Sequence, residues 1–194
     1  MIRHAVIFSV AFLLSAGPVP GNANGDAVRG ATKAAACAVC HGAPERPPLP
    51  GMPTLAGQQP AFMVLQMFFM REGLRVVPPM AGLLKDFTDR DLEDVAAYFS
   101  AQKPSPHSSK RDQQLYARGA ALARGMGCGS CHLADYRGQR HIPRITHQRE
   151  DYLVLALQAY RDDKRTGADT SMNAVMYRAT DSDIRDLAHY FAQQ

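Results

Sequence analysis

The chain has 194 residues, 46% of them hydrophobic and 21% charged, which is ordinary globular composition for one or two domains and not that of a disordered chain. Lys and Arg total 22 against 18 Asp and Glu, a formal net charge of +4. That excess is too small and too dispersed for a nucleic-acid footprint, and no run of 18 apolar residues exists to span a membrane.

Residues 1–23 read as a secretory signal peptide. Arg3 and His4 give a basic start, Ala5 to Leu14 an apolar core, and Gly21-Asn22-Ala23 a small-x-small cleavage site. The mature protein is therefore expected in the periplasm or outside the cell, with a charge of about +3. A buried first helix is the competing reading of this stretch.

An Ala-rich helix is predicted from Asp26 to Ala36, leading into Cys37-x-x-Cys40-His41. A second Ala-rich helix, Asp112 to Arg124, leads into Cys128-x-x-Cys131-His132. These are the only four cysteines, and Cys-x-x-Cys-His is the attachment signature of c-type haem. Two thiols three positions apart can add to the two vinyl groups on one porphyrin edge, and the next imidazole can then bind iron. Other uses of the cysteines fit less well. A four-cysteine zinc site places its pairs about 15–20 residues apart, whereas these are about 90 apart. A thioredoxin-like redox pair needs a βαβ pattern, and no convincing strand is found. Two structural disulfides would not call for the histidines.

The two motifs belong to a repeat with an offset of 89 to 92. Met52 to Gln58 is echoed by Ile142 to Gln148, and Phe62 to Arg75 by Tyr152 to Arg165, with Arg71 matched by Arg161. Thr88-Asp89 is echoed by Thr180-Asp181, and Ala96 to Phe99 by Ala188 to Phe191. Two all-α domains follow, 24–102 and 112–194, joined by a Pro/Ser linker over 103–111. Helices are predicted from Ala61 to Arg71 and from Arg149 to Arg161. A final helix in each domain is capped by Thr88 or Thr180, with acidic first turns that suit the helix dipole. Each domain is small for a self-sufficient core, so a covalently held haem is expected to complete it.

Iron held by one histidine needs a sixth ligand or keeps an open site. Met80 and Met172 lie eight residues before the Thr88 and Thr180 caps, each in an expected loop. A thioether is a soft, neutral ligand that raises the potential. Pro78 and Pro79 would stiffen the loop presenting Met80. Met176 competes with Met172, but it has no methionine counterpart, since Leu84 holds that place in the first repeat. Met63, Met67 and Met70 read as packing residues, and His141 and His147 as surface residues. His107 and His189 receive no role.

Together the residues resemble the class I c-type cytochromes, in the two-domain dihaem cytochrome c4 form. The features carrying the likeness are the paired Cys-x-x-Cys-His motifs, the stretch Pro53 to Gln58 with its degenerate copy Pro143 to Gln148, and a methionine before each Thr-Asp-capped helix. The departures are a proline-rich stretch, Pro44 to Pro50, and His147 in place of the glycine matched by Gly57. The resemblance covers residues 25–194. It implies two tandem helical haem domains about a pseudo-two-fold axis, with two haem c groups linked through Cys37, Cys40, Cys128 and Cys131. It implies iron ligation by His41, Met80, His132 and Met172, and periplasmic electron transfer without catalysis. Redox protein partners follow, a dehydrogenase donor and an oxidase or other acceptor, with peripheral attachment to a membrane complex compatible with the chain. Two other functions stay open: an electron-transfer subunit of a periplasmic dehydrogenase complex, such as a flavocytochrome sulfide dehydrogenase, and a haem enzyme with an open iron site. Residues 24–106 carry 8 basic and 8 acidic side chains, and residues 107–194 carry 13 and 10. Arg137, Arg140, Arg144 and Arg149 are expected to form a basic loop, offsetting haem propionates or docking an acidic partner.

Overall fold

The computed structural model describes residues 25–43, 46–104, 110–165 and 170–194. The expected signal segment and most of the linker lie outside the described residues. Eight α-helices follow in order among the described residues: α1 (Ala27–His41), α2 (Pro60–Arg71), α3 (Asp89–Ser100), α4 (Gln113–Gly125), α5 (Cys128–His132), α6 (Glu150–Arg161), α7 (Ser171–Met176) and α8 (Asp181–Ala192). A single 3₁₀ turn, Pro78–Met80, precedes α3. The described residues contain no β-strand, only two isolated bridges. The fold is therefore all-α, with one set of helices for each copy of the repeat.

Each copy is organised by a crossing of its first and last helices. α1 crosses α3 at Gly30, where a Cβ would lie 2.0 Å from the Asp94 carbonyl oxygen. α4 crosses α8 at Gly119, where a Cβ would lie 2.1 Å from the Asp186 carbonyl oxygen. Backbones this close leave no room for a side chain, and the glycines were not singled out by the periodicity of the apolar residues. An arginine one residue earlier closes each crossing. Arg29 donates to both carboxylate oxygens of Asp94 at 2.8 and 2.7 Å, and Arg118 to those of Asp186 at 2.7 and 2.9 Å. Both aspartates are buried, so the two-pronged bond satisfies a carboxylate that would otherwise be costly there.

The caps form as expected. Thr88 Oγ1 accepts from the Asp91 amide at 3.2 Å while Asp91 accepts from the Thr88 amide at 2.9 Å, and Thr180 and Asp183 repeat the arrangement at 3.1 and 2.9 Å. Arg71 and Arg161, matched in the repeat, reach from the ends of α2 and α6 to Asp89 and Asp181 in the first turns of α3 and α8. Val95, Ala96 and Phe99 with Ala34 and Met63 fill the first core. Ile184, Leu187, Ala188 and Phe191 with Leu153, Leu157 and Met176 fill the second.

The two copies differ in three places that the sequence reading treated alike or left unassigned. α1 does not stop at Ala36 but runs on through the whole first cysteine motif to His41. The second motif is set on a separate helix: Cys128 lies ten residues after Arg118, whereas Cys37 lies eight after Arg29, and the extra residues break the helix at Gly127 in the left-handed region (φ 68°). Met172 sits not in a loop but at the second position of α7. Finally, His189 is buried, and it joins three elements of the second copy. Its Nε2 accepts from the Asp112 amide at 2.9 Å, so its Nδ1 carries the proton and donates to Glu150 at 3.0 Å.

The crossing predicts opposite outcomes for two glycines on one helix. Gly119→Ala forces α4 off α8 and should cost about 3 kcal/mol of unfolding free energy. Gly125→Ala meets nothing within 4 Å and should be neutral or stabilising by up to about 1 kcal/mol, both read from denaturant midpoints of the haem-loaded protein. The cap predicts an acid limb. Lys33 foremost, with the Thr88 amide and hydroxyl, holds the Asp91 carboxyl down to about 2. A carboxyl depressed on folding stabilises above its unfolded value near 3.9 and loses that contribution as pH falls towards 2. The unfolding midpoint of Asp91→Asn should therefore fall less steeply than wild type between about pH 4 and pH 2.

Candidate functional site

Cys37 and His41 are one helical turn apart on α1 with Cys40 between them, and α5 presents Cys128, Cys131 and His132 in the same order. No group of three or more His, Cys, Asp or Glu among the described residues is arranged to hold a metal ion. Burial pushes the Cys37 and Cys128 thiols up, the opposite of what an activated redox thiol needs.

Each motif histidine has one ring nitrogen tied to the backbone and the other left free. His41 Nδ1 lies 3.0 Å from the Pro53 carbonyl oxygen, and His132 Nδ1 lies 2.8 Å from that of Pro143. A carbonyl can only accept, so each Nδ1 carries the proton and each Nε2 keeps its lone pair free. Burial lowers both imidazole pKa values and keeps the rings neutral. A ring fixed by one nitrogen and free at the other is the usual state of a metal-binding histidine.

The methionines fall into two environments. Met80 ends the 3₁₀ turn begun by Pro78 and Pro79 and is half-buried, as is Met172. Leu84 and Met176, each four residues further on, are 3% and 2% exposed and belong to the cores. Met176 thus fills the place of Leu84, and Met172 that of Met80.

The segments between motif and next helix meet at the seam of the two copies, around a pseudo-two-fold relation. Gln58 donates through Nε2 to the Arg144 carbonyl at 2.9 Å and accepts from the Arg144 amide at 2.7 Å. Gln148 does the same to Thr54, at 3.0 and 2.7 Å. Gln58, Thr54, Arg144 and Gln148 are all at most 5% exposed. Arg144 is therefore not part of a solvated basic loop. Its guanidinium donates to the carbonyls of Gly57, Ala56 and Thr146, and burial lowers its pKa to about 10. Arg149 reaches the Pro48 carbonyl across the seam, so only Arg137 and Arg140 of the expected cluster are exposed. His147 adopts φ 51°, the left-handed conformation that Gly57 takes at φ 66° in the other copy. The repeat had displayed Gln58 and Gln148 at equal offset, but nothing local said that they would cross to the opposite copy.

A second pair of matched residues also meets at the seam. Arg75 and Arg165 both approach the Tyr152 hydroxyl, with Arg165 Nη1 at 3.3 Å. Their positive charge lowers the Tyr152 pKa against the opposing effect of burial. Among the described residues no carboxylate pairs with either arginine. Paired cysteines in register and neutral histidines with open Nε2 atoms form a coherent set. They fit a haem, which brings vinyl groups, iron and propionates.

Comparison with known proteins agrees. The cytochrome c family model matches residues 116–194. Cytochrome c4 of Pseudomonas aeruginosa is 36% identical over 179 residues, covering 87% of this chain and 89% of that one. The chain belongs to the cytochrome c4 family. It is a dihaem c-type cytochrome, an electron carrier with two haem c groups, for which the two Cys-x-x-Cys-His motifs account. The crystal structure of reduced recombinant cytochrome c4 from Pseudomonas stutzeri superposes with a TM-score of 0.80 at 33% identity, covering 87% of this chain and 98% of that one. The thiosulfate dehydrogenase electron acceptor of Thiomonas intermedia is 27% identical, over 84% of this chain and 80% of that one.

The seam predicts unequal roles for two arginines of one loop. Arg144→Ala leaves a buried carbonyl, that of Thr146, and two part-buried ones without this donor and should cost about 3 kcal/mol in guanidinium unfolding. Arg140→Ala, exposed, should stay within about 0.5 kcal/mol of wild type.

Proposed function

We propose that this cytochrome is a periplasmic electron carrier with His41 and Met80 as the axial ligands of one iron and His132 and Met172 as those of the other. Cys37 and Cys40 hold the first haem, and Cys128 and Cys131 the second. The observation that carries the ligand set is the matched pair of environments: two histidines with Nδ1 tied to a proline carbonyl, and two half-buried methionines at equal offset ahead of a capped helix. Bound haem c supplies a one-electron ferric–ferrous couple. The chain's part is to keep geometry constant through that change. The carbonyls of Pro53 and Pro143 fix the imidazole planes, Pro78 and Pro79 fix the approach of Met80, and α7 fixes that of Met172. With both axial positions filled, substrate bonds are neither made nor broken, so the protein relays electrons without catalysis.

The remaining parts of the reading rest on sequence. Residues 1–23 direct export, and the haem domains run over 24–102 and 112–194 with 103–111 as linker. The excess of positive charge in 107–194 suits an acidic redox partner there. No helix among the described residues is long and apolar enough to cross a membrane. A dehydrogenase donor is favoured by the likeness to the thiosulfate dehydrogenase electron acceptor, which equally supports service as the electron-accepting subunit of such a complex. A cytochrome that co-purifies with a dehydrogenase at fixed stoichiometry would establish the subunit role.

Carbon monoxide tests the ligand set. The visible spectrum of the reduced protein should not change on its addition; a shift at either haem would mean an open site and overturn the carrier reading. Met80→Ala and Met172→Ala should each lower the potential of one haem and make it bind carbon monoxide. Met176→Ala should cost about 2–5 kcal/mol of stability as a core cavity and leave both spectra unaltered.

A further inference from the structure

The glutamine bonds at the seam do more than join two domains. The peptide unit Pro53–Thr54 is engaged at both ends: its carbonyl accepts from His41 Nδ1 at 3.0 Å, and its N–H donates to Gln148 Oε1 at 2.7 Å. The unit Pro143–Arg144 is engaged in the same way, by His132 Nδ1 at 2.8 Å and by Gln58 Oε1 at 2.7 Å. In each case one peptide group lies between the proposed iron-binding histidine of one domain and a glutamine of the other.

The amide orientations are fixed by their partners. Gln148 Oε1 also accepts from the Arg149 amide at 2.9 Å, and Gln58 Oε1 from the Gln59 amide at 2.8 Å. Each oxygen faces two N–H donors while each Nε2 faces a carbonyl, so neither amide can be turned round. The glutamines are 5% and 3% exposed, so little water competes for these bonds.

Hydrogen bonds in series through a peptide group polarise one another. Drawing the Thr54 N–H towards Gln148 places more negative charge on the Pro53 oxygen. That oxygen then holds the His41 Nδ1 proton more strongly, and the ring becomes a more electron-rich donor at Nε2. A more electron-rich ligand favours the ferric state.

We propose that Gln148 and Gln58 are positioning residues that set the potential of the haem in the opposite domain, Gln148 acting on the first haem through Pro53–Thr54 and Gln58 on the second through Pro143–Arg144. The inference rests on His41 and His132 being axial ligands. It makes the domain seam part of each histidine's hydrogen-bonding environment, so a movement of one domain against the other registers at both irons.

The test is made on the full-length, haem-loaded protein. Both potentials are measured by spectroelectrochemistry, with each haem assigned by NMR. Gln148→Leu removes the acceptor of the Thr54 N–H. It should shift the ferric–ferrous equilibrium of the first haem about threefold to tenfold towards ferrous, about 30 to 60 mV at 59 mV per tenfold for one electron. The second haem should move much less, and the His41 Nδ1 proton of the reduced protein should exchange faster. Gln58→Leu should give the mirror result. Gln148→Glu retains an acceptor and adds charge, so it should move the first haem towards ferric and the second much less. It decides the matter alone where the leucine variant does not fold. An unmoved first haem, equal shifts at both, or a larger shift at the haem of the substituted domain would overturn the proposal. Failure of the ligand reading looks different: the wild-type reduced NMR spectrum would then lack the ring-current-shifted resonances of His41 and His132 side chains.

Discussion

At the centre of each domain two helices touch backbone to backbone. Gly30 against Asp94 and Gly119 against Asp186 set how closely the first and last helices approach, and the Arg29 and Arg118 forks hold the angle. The consequences reach the haem motifs. α1 carries Cys37, Cys40 and His41 at its C-terminal end, so the position of the motif is fixed by where α1 lies on α3. Once that lever is set, the histidine finds a proline carbonyl in the following segment, and that segment finds the other domain. Fold, ligand orientation and domain docking are thus successive results of one close contact.

The repeat preserves this logic while relaxing its details. In the first domain a continuous helix delivers the motif; in the second the chain breaks at Gly127 and delivers it on the short α5. The terminal anchor also changes, from Asp94 accepting the Asp26 amide to His189 accepting the Asp112 amide and donating to Glu150. The bonds that face the cofactor and the seam do not change: both histidines choose a proline carbonyl, both glutamines choose a backbone amide and carbonyl pair, and both threonines cap through an aspartate. The two copies therefore share the polar contacts near the motifs and the seam and differ at the outer helix junctions.

What the sequence made legible follows the same division. Contacts between residues a few positions apart were readable: the capping boxes at Thr88 and Thr180, the amphipathic α3 and α8, and the Cys-x-x-Cys-His motifs. The register set Met172 beside Met80 and Met176 opposite Leu84; the burial of Leu84 and Met176 came from the structure. Contacts across large separations were not. Gln58 and Gln148 stood out only as an echo, and Arg144 read as one of four loop arginines because nothing near it in sequence shows that it turns into a seam. α1 runs past Ala36 because Ala36 to His41 contains no helix breaker, so the haem motif does not interrupt it. His189 was passed over for the same reason as Arg144, since both of its partners lie 39 or more residues away.

The composition of the seam bears on how the protein works. Six of its bonds are neutral contacts between the side chains of Gln58, Gln59 and Gln148 and peptide groups, and these are little affected by salt. Charged side chains enter it as well: Arg144 meets carbonyls, Arg75 and Arg165 approach the Tyr152 hydroxyl, and Arg149 and Asp151, paired with each other, reach the Pro48 carbonyl and the Gly51 amide. A buried guanidinium such as that of Arg144 is costly unless its donors find acceptors, and the carbonyls of Gly57, Ala56 and Thr146 supply them. The neutral glutamine bonds and the buried Arg144 bonds together fix how the two domains meet.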